Sequence, residues 1–322
     1  MINRREFLYL YDLKNVNPNG DPDTNSPRID PATNRCYVTD VRLKRYIRDL
    51  LAVKYGEDAI LVTRLGNEPV SLQKRVEARL ESLEYTAETV RDTLCQTFID
   101  LRMFGSPLAF NLKKNKKDKD SKGEKKIPSL TGPIQIQFGE SLHPVIPVTV
   151  HGTSQLASED GKGAGTFTDT TILPYAVIAF HGLINEYAAR HTDLSDEDVA
   201  LFLDTLWKSV RESPSANTRS KTGQQPLFLL SVTYTAGSEY HIGRLADRIE
   251  LAPTGETPLT DLRGPEDYRI GFDPLLAALD DARSRIDRIE VWAAPQFARR
   301  YPDLIAALME RFPGDQLVLH QA

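Results

Sequence analysis

Apolar and polar residues along this chain change period several times, and each change marks an element. An apolar, aromatic run from Phe7 to Leu13 has the composition of a strand buried on at least one face. Asn15 to Asn34 is dense in Asn, Pro, Gly and Asp, a mixture that neither helix nor strand supports. From Val41 to Lys54 the apolar positions Leu43, Tyr46, Ile47, Leu50 and Leu51 fall on one side of a helix that Thr39 or Asp40 caps. The opposite side carries Arg42, Lys44, Arg45 and Arg48, with only Asp49 among them.

Helical spacing returns between Asp58 and Leu108, in Val70, Leu72, Val76, Leu80 and Leu83 and then Val90, Leu94, Phe98 and Leu101, with Cys95 on the buried face. Phe104-Gly105-Ser106-Pro107 ends this helical insertion. Residues 113–126 hold eight lysines and nothing apolar, so a disordered or mobile loop is expected there. Ile134, Ile136 and Phe138 then alternate with Gln135, Gln137 and Glu140, the period of a strand with one buried face. Residues 149–172 are rich in Gly, Ser and Thr and read as an extended hairpin or protruding arm. Leu173 to Ile184 is a buried strand in which His181 reads as a core histidine. Ser195 caps a helix to about Arg211 with an acidic first turn, and Leu227 to Tyr234 is a further strand. A helix over 274–285, a strand over 286–293 and a short helix over 302–311 follow. No internal repeat is evident.

The core elements Phe7–Leu13, Val41–Lys54, Ile134–Phe138, Pro174–Ile184, Asp196–Arg211 and Leu227–Tyr234 run βαββαβ. This is the order of a ferredoxin-like, RNA-recognition-type sheet of the α+β class. The expected palm is 1–56 with 129–148, 173–236 and 286–322. Into it are set helical fingers over 57–128, a thumb-like arm over 149–172 and a C-terminal insertion over 237–285. Stacking aromatics on the sheet cannot be assigned, which leaves recognition by backbone and loops.

Composition narrows the partners. With 40% hydrophobic and 26% charged residues the chain is of ordinary globular type, and no apolar run approaches the roughly 20 residues that span a bilayer. The opening MINRREF lacks the apolar core of a signal peptide, so a cytoplasmic protein without membrane contact is expected. Two distant cysteines, Cys36 and Cys95, suit a reducing compartment and supply no metal frame. The net charge of -5 argues against general nucleic-acid binding, yet residues 1–130 hold 24 Lys/Arg against 19 Asp/Glu and residues 131–322 hold 16 against 26. That asymmetry permits one local anion site on an acidic protein.

Candidate chemistry concentrates in the Pro-rich loop. Pro18, Pro22, Pro27 and Pro31 fix φ and Gly20 permits a positive φ or a close backbone approach, so the loop has one defined shape beside a basic helix. The same features also suit a rigid surface connection. Arg219 and Lys221, in the small, hydroxylated loop SPSANTRSKTGQQP, are further candidates for a phosphate chain. Gly161, Gly163 and Gly165 lack the spacing of a phosphate-binding loop. Asp21, Asp23 and Asp30 are the carboxylates a metal-dependent nuclease would gather, and they serve equally as turn and helix-entry residues. His143, His151, His181 and His191 lack metal-ligand spacing.

The phrase LYDLKNVNPNGDPDTNSPRIDPATNRCYVTDVRLKRYIRD closely resembles the amino-terminal signature of the CRISPR-associated "seven" family in its Csd/Csh branch. LTGPIQIQFGESLHPV and TFTDTTILPYAVIAFHGLIN resemble that family's second block, so the resemblance runs from about Phe7 to Asn185. It implies the repeating, non-catalytic backbone of a type I Cascade complex, with palm, fingers and thumb. Several copies would polymerise along CRISPR guide RNA, beside other Cascade subunits, and present its bases to target DNA. Asn17, Asn19, Gly20, Lys44 and Arg45 match motif positions expected near the guide backbone. Arg42 and Arg48 are added from the helical wheel, and Arg28 and Ser141 complete the candidate RNA-binding set with Arg219 and Lys221. The resemblance implies no cofactor. Type III relatives cleave target RNA with a loop aspartate, which keeps a metal-dependent endoribonuclease as the alternative.

Overall fold

The computed structural model describes residues 2–64, 70–86, 89–107, 111–112, 125–126, 129–153 and 167–321. The expectation for the lysine-rich segment therefore lies almost wholly outside the described residues, as does the middle of the 149–172 arm.

The apolar opening run becomes the strand β1 (Arg5–Val16), and β2 (Tyr37–Val38) precedes α1 (Asp40–Tyr55). Helices α2 (Leu72–Leu80), α3 (Val90–Thr97) and α4 (Ile99–Phe104) follow. Next come β3 (Ile134–Ile136), β4 (Gly139–Ser141), β5 (Val148–Thr153) and β6 (Phe167–Ile184). The chain continues through α5 (Glu186–Thr192), α6 (Asp196–Glu212) and β7 (Gln224–Tyr234). A hairpin of β8 (Glu250–Pro253) and β9 (Tyr268–Gly271) leads to α7 (Asp273–Asp281) and β10 (Ile286–Ala293). The last elements are α8 (Pro295–Arg300), α9 (Pro302–Arg311) and β11 (Leu317–His320). The sequence pattern had not shown α5, the β8–β9 hairpin, α8 or β11, which are short or carry no clean apolar period.

Among the described residues nine strands form one mixed sheet in the order β11–β10–β7–β1–β6–β4–β2, with β3 and β5 also paired to β6. The β10–β11 ladder is parallel and the other ladders of the sheet are antiparallel. β1 lies at the centre, and Glu6 to Tyr11 are buried without interruption because both faces of the sheet are covered. On one face, Phe7 meets Phe202 of α6 edge-on at 5.4 Å and the Tyr9 hydroxyl donates to the Trp207 carbonyl, while Tyr11 stacks on Phe180. Ser195 and Asp198 form a capping box at the start of α6, as its acidic first turn suggested.

The opposite face is covered by the C-terminal segment 237–285 together with α8. Phe228 packs on Phe272 and Phe297, and the Tyr175 hydroxyl joins Asp12 to Tyr268 at 2.9 Å each way. Burial raises the Asp12 carboxyl to about 6. Glu6, fully buried, accepts from the Tyr234 hydroxyl and from the backbone N–H of Ile242 (2.7 Å) and Gly243 (2.9 Å). His181 sits 3.9 Å from Glu6 and is buried, with its pKa lowered chiefly by that burial, so its reading as a core histidine agrees with the structure.

The helical insertion has its own core of Leu61, Val76, Leu80, Val90, Leu94, Cys95, Phe98, Leu101 and Leu130. One ion pair ties it to α1. Arg48, placed by the helical wheel on the exposed basic face, is instead buried and donates to Asp100 at 2.8 Å, which also accepts from Leu61 N–H (2.6 Å) and Val62 N–H (3.1 Å). The wheel failed because α4 packs on that side of α1, with Phe104 under the Arg48 guanidinium at 5.2 Å.

Removing one partner of a buried, hydrogen-bonded pair strands the other charge. Asp100→Ala is expected to lower unfolding free energy by about 3–5 kcal/mol, read by urea denaturation, and Arg48→Ala by a comparable amount.

Candidate nucleic-acid interface

Two short turns shape the Pro-rich loop, and they correct the absence of repeats read from the sequence. Asp21-Pro22-Asp23-Thr24-Asn25 recurs nine residues later as Asp30-Pro31-Ala32-Thr33-Asn34. In the first turn Asp21 N–H donates to the Ser26 carbonyl and Asn25 N–H to the Asp21 carbonyl. In the second, Asp30 N–H donates to the Arg35 carbonyl and Asn34 N–H to the Asp30 carbonyl. Asn25 and Asn34 both adopt left-handed φ, 54° and 55°, which asparagine tolerates better than most residues. The Asp21 carboxylate accepts from Asp23 and Thr24 N–H, and Asp30 accepts from Ala32 N–H and the Thr33 hydroxyl. Those backbone bonds hold both carboxyls below the usual range. Gly20 has no positive φ; a Cβ there would lie 2.7 Å from Asn25 Oδ1, so the requirement is close approach.

The expected site residues divide by what already occupies them. Asn19 is buried and its Oδ1 accepts from both the N–H and the hydroxyl of Thr39, at 2.9 Å each, so the loop braces the N-cap of α1. Asn17 is buried too; its side chain donates to the Asn25 carbonyl at 2.7 Å. Ser141 is fully buried, accepting from Cys36 N–H and donating to the His143 carbonyl, so its place in the candidate set gives way to a structural role. On α1, Lys44 pairs with Asp40 and Arg45 with Asp49, each at 2.8 Å. The exposed basic helix face expected from the wheel is thus largely neutralised within the helix itself.

Arg42 differs. Its guanidinium lies over the Tyr46 ring at 5.7 Å, and among the described residues no carboxylate pairs with it, nor with Arg28, Arg219 or Lys221. Lys221, 8% exposed, donates to the Asn17 carbonyl. The loop bearing it is sewn to the first by Asn17 N–H to the Ser220 carbonyl (2.9 Å) and Lys14 N–H to the Gly223 carbonyl (3.0 Å). Gln224 adds a bond to the Tyr46 hydroxyl at 3.3 Å. Tertiary structure therefore brings Lys221 beside Arg42, residues that the sequence separates by most of the sheet. Burial, reinforced by the charge of Arg42, lowers Lys221 from 10.5 to about 8. Arg28 reaches back to the Gly20 carbonyl at 3.4 Å, and Arg219 is exposed on the second loop. Two uncompensated cations held together under a rigid loop favour an anion. Among the described residues no group of three or more His, Cys, Asp or Glu converges as a metal site would require.

Asn19→Ala is expected to cost about 1–2 kcal/mol by unbracing the Thr39 cap, seen as a lowered urea midpoint with unchanged m. Lys221 gives a pH test. Its folded pKa of about 8 lies below the unfolded 10.5, so the unfolded chain holds the proton more tightly. The resulting penalty is fully present below pH 8 and vanishes as pH rises to 10.5. The stability of Lys221→Met relative to wild type should therefore fall across that window, and parallel curves would contradict the burial of a charged Lys221.

Comparison with known proteins places this geometry in a family. A curated protein from Haloferax volcanii, "CRISPR-associated protein Cas7", is 32% identical over 304 residues, covering 90% of this chain and 86% of that one. A chain of a solved "CRISPR RNA-guided surveillance complex, pre-nicking" aligns with a TM-score of 0.54 at 10% identity, covering 99% of this chain and 96% of the other, a likeness of fold. Another chain, from a "CRISPR RNA-guided surveillance complex", reaches 0.46 at 13% identity over 91% and 89%. The family model described as CRISPR-associated protein Cas7 matches residues 3–273, and the chain belongs to that family.

Proposed function

We propose that this protein is the RNA-binding backbone subunit of a CRISPR surveillance complex, polymerising along guide RNA and presenting its bases to target DNA. The observation that carries the reading is the buried Lys221 beside the half-buried Arg42 under the rigid loop, with no carboxylate partner to either among the described residues. A phosphate chain laid across the loop supplies the missing charge, and Arg28 and Arg219 flank its path. Asn17, Asn19 and Gly20 shape the loop, while Lys44 and Arg45 lie along the same helix. Since phosphate contacts carry no sequence information, such a site suits a subunit that must accept any guide.

The order β7–β1–β6–β3 supports the ferredoxin-like palm, being that of the fourth, first, third and second strands of a βαββαβ unit. The separate core of 57–107 supports the fingers, and the β5–β6 ladder, Val148–Thr153 against Phe167–Ile172, supports an arm that begins as a hairpin. Type I assembly with other Cascade subunits and the Csd/Csh branch rest on the sequence resemblance, and a cytoplasmic site on the two distant, free cysteines. Among the described residues no helix is long and apolar enough to cross a membrane. A non-catalytic role is favoured because Asp21 and Asp30 both spend oxygens on their own turns.

Charge reversal of Arg42 should weaken guide-RNA binding in filter or anisotropy assays and reduce the slope of log K against log salt by about one. Co-purification with RNA of regular length, in a large particle on a sizing column, is expected of the wild type. A monomer indifferent to guide RNA at low salt would refute the reading. Metal-dependent cleavage of target RNA that disappears in Asp30→Ala would establish the nuclease instead.

A further inference from the structure

The sequence period places Phe138 inside the sheet with Ile134 and Ile136, and the structure does not. Ile134 and Ile136 pair opposite Ile184 and Gly182 of β6 and are buried on the face that α1 and α6 cover. Three residues beyond Ile136, Gly139 faces the Phe180 ring so closely that a Cβ would lie 2.4 Å from it, and Ser141, opposite Ile178, is buried on that same face. The inward positions thus run 134, 136, 139, 141: one extra residue has entered between β3 and β4. An insertion of one residue reverses the phase of a strand. Phe138 is thereby turned to the opposite face and left 55% exposed.

It does not stand alone there. Tyr37 of β2 pairs opposite Glu140, on the outward phase, while its neighbours Cys36 and Val38 are buried. The Tyr37 and Phe138 rings lie parallel within 6°, centroids 6.2 Å apart. This edge lies on the face that the 237–285 segment covers over β1, β6 and β7, but here the aromatic surface is open. Exposed Gln137 and Glu140 flank it with hydrogen-bonding groups. Arg35, exposed two residues before Tyr37, and Arg28, whose carbonyl accepts from Tyr37 N–H, place cations beside it. The platform is continuous with the rigid loop, since Tyr37 lies two residues before the Thr39 cap.

We propose that Tyr37 and Phe138 form a stacking platform for one unpaired base of a single-stranded RNA whose phosphates run past Arg28 and Arg35. The proposal rests on the RNA-binding reading above and adds a base contact to what was a phosphate site. Every base has a π-face, so such a platform tolerates any sequence. A bulge that re-aims a side chain is a common device beside binding sites.

The full-length protein is titrated with fluorescein-labelled single-stranded RNA and with an abasic ribose-phosphate chain of equal length. Wild type is expected to prefer the base-bearing RNA by about tenfold, the scale of one stacked base. Phe138→Ala, at an exposed position, should lose that preference and keep its affinity for the abasic chain. Phe138→Trp should retain the preference, with its added indole emission quenched by RNA and not by the abasic chain. Equal binding of both chains by wild type, or an undiminished preference in Phe138→Ala, would overturn the platform while leaving the phosphate site standing. No binding of either chain would overturn the RNA reading itself. A Phe138→Ala effect confined to self-association of the RNA-free protein would reassign the pair to a protein contact and sink the proposal.

Discussion

Burial of β1 on both faces is the constraint on which the remaining structure depends. A strand sealed from water on both sides needs all its backbone groups paired and every polar side chain answered. β6 and β7 supply the first requirement along its length. Glu6 and Asp12 illustrate the second, since the C-terminal segment brings Ile242, Gly243 and Tyr268 to these two carboxylates or their hydroxyl partners. The cover over the sheet is thus pinned at both ends of one strand, and the middle of that face is closed to ligands.

With the middle covered, the candidate site lies at the rim. The Pro-rich loop leaves the end of β1, folds into two Asp-Pro turns, and returns through β2 to cap α1. The side chains of Asn17, Asn19, Asp21 and Asp30 are used in making that shape. Cations on the same side sort likewise: Lys44, Arg45 and Arg48 are matched by Asp40, Asp49 and Asp100, while Arg42 and Lys221, like Arg28 and Arg219, have no carboxylate partner among the described residues. A net acidic protein can in this way hold a small basic site, because what counts is the cations that lack local partners.

The chain belongs to the family of CRISPR-associated protein Cas7, and its candidate site is built from backbone shape and unpaired charge, with no converging group of three or more His, Cys, Asp or Glu among the described residues. Of Asp21, Asp23 and Asp30, the carboxylates that a nuclease would gather, Asp21 and Asp30 are used to close the loop's turns.

Local chemistry in the chain was enough to determine the opening strand, the Thr39-capped helix, the Ser195-capped helix, the strands of the core and the stiffness of the loop. Each follows from periodicity, capping or turn formation within a few residues. The repeated Asp-Pro turn is also legible in the spacing of Asp21 and Asp30, although its two copies differ at Asp23 and Ala32. Other features required the tertiary fold. Arg48 became internal because α4 covers that side of α1, and Ser141 because β4 turns it into the core. Lys221 met Arg42 because β7 lies beside β1, and Phe138 turned outward through one inserted residue. A sequence specifies which faces are apolar, but what sits against each face, and the phase of a strand across a bulge, depend on partners distant in the chain.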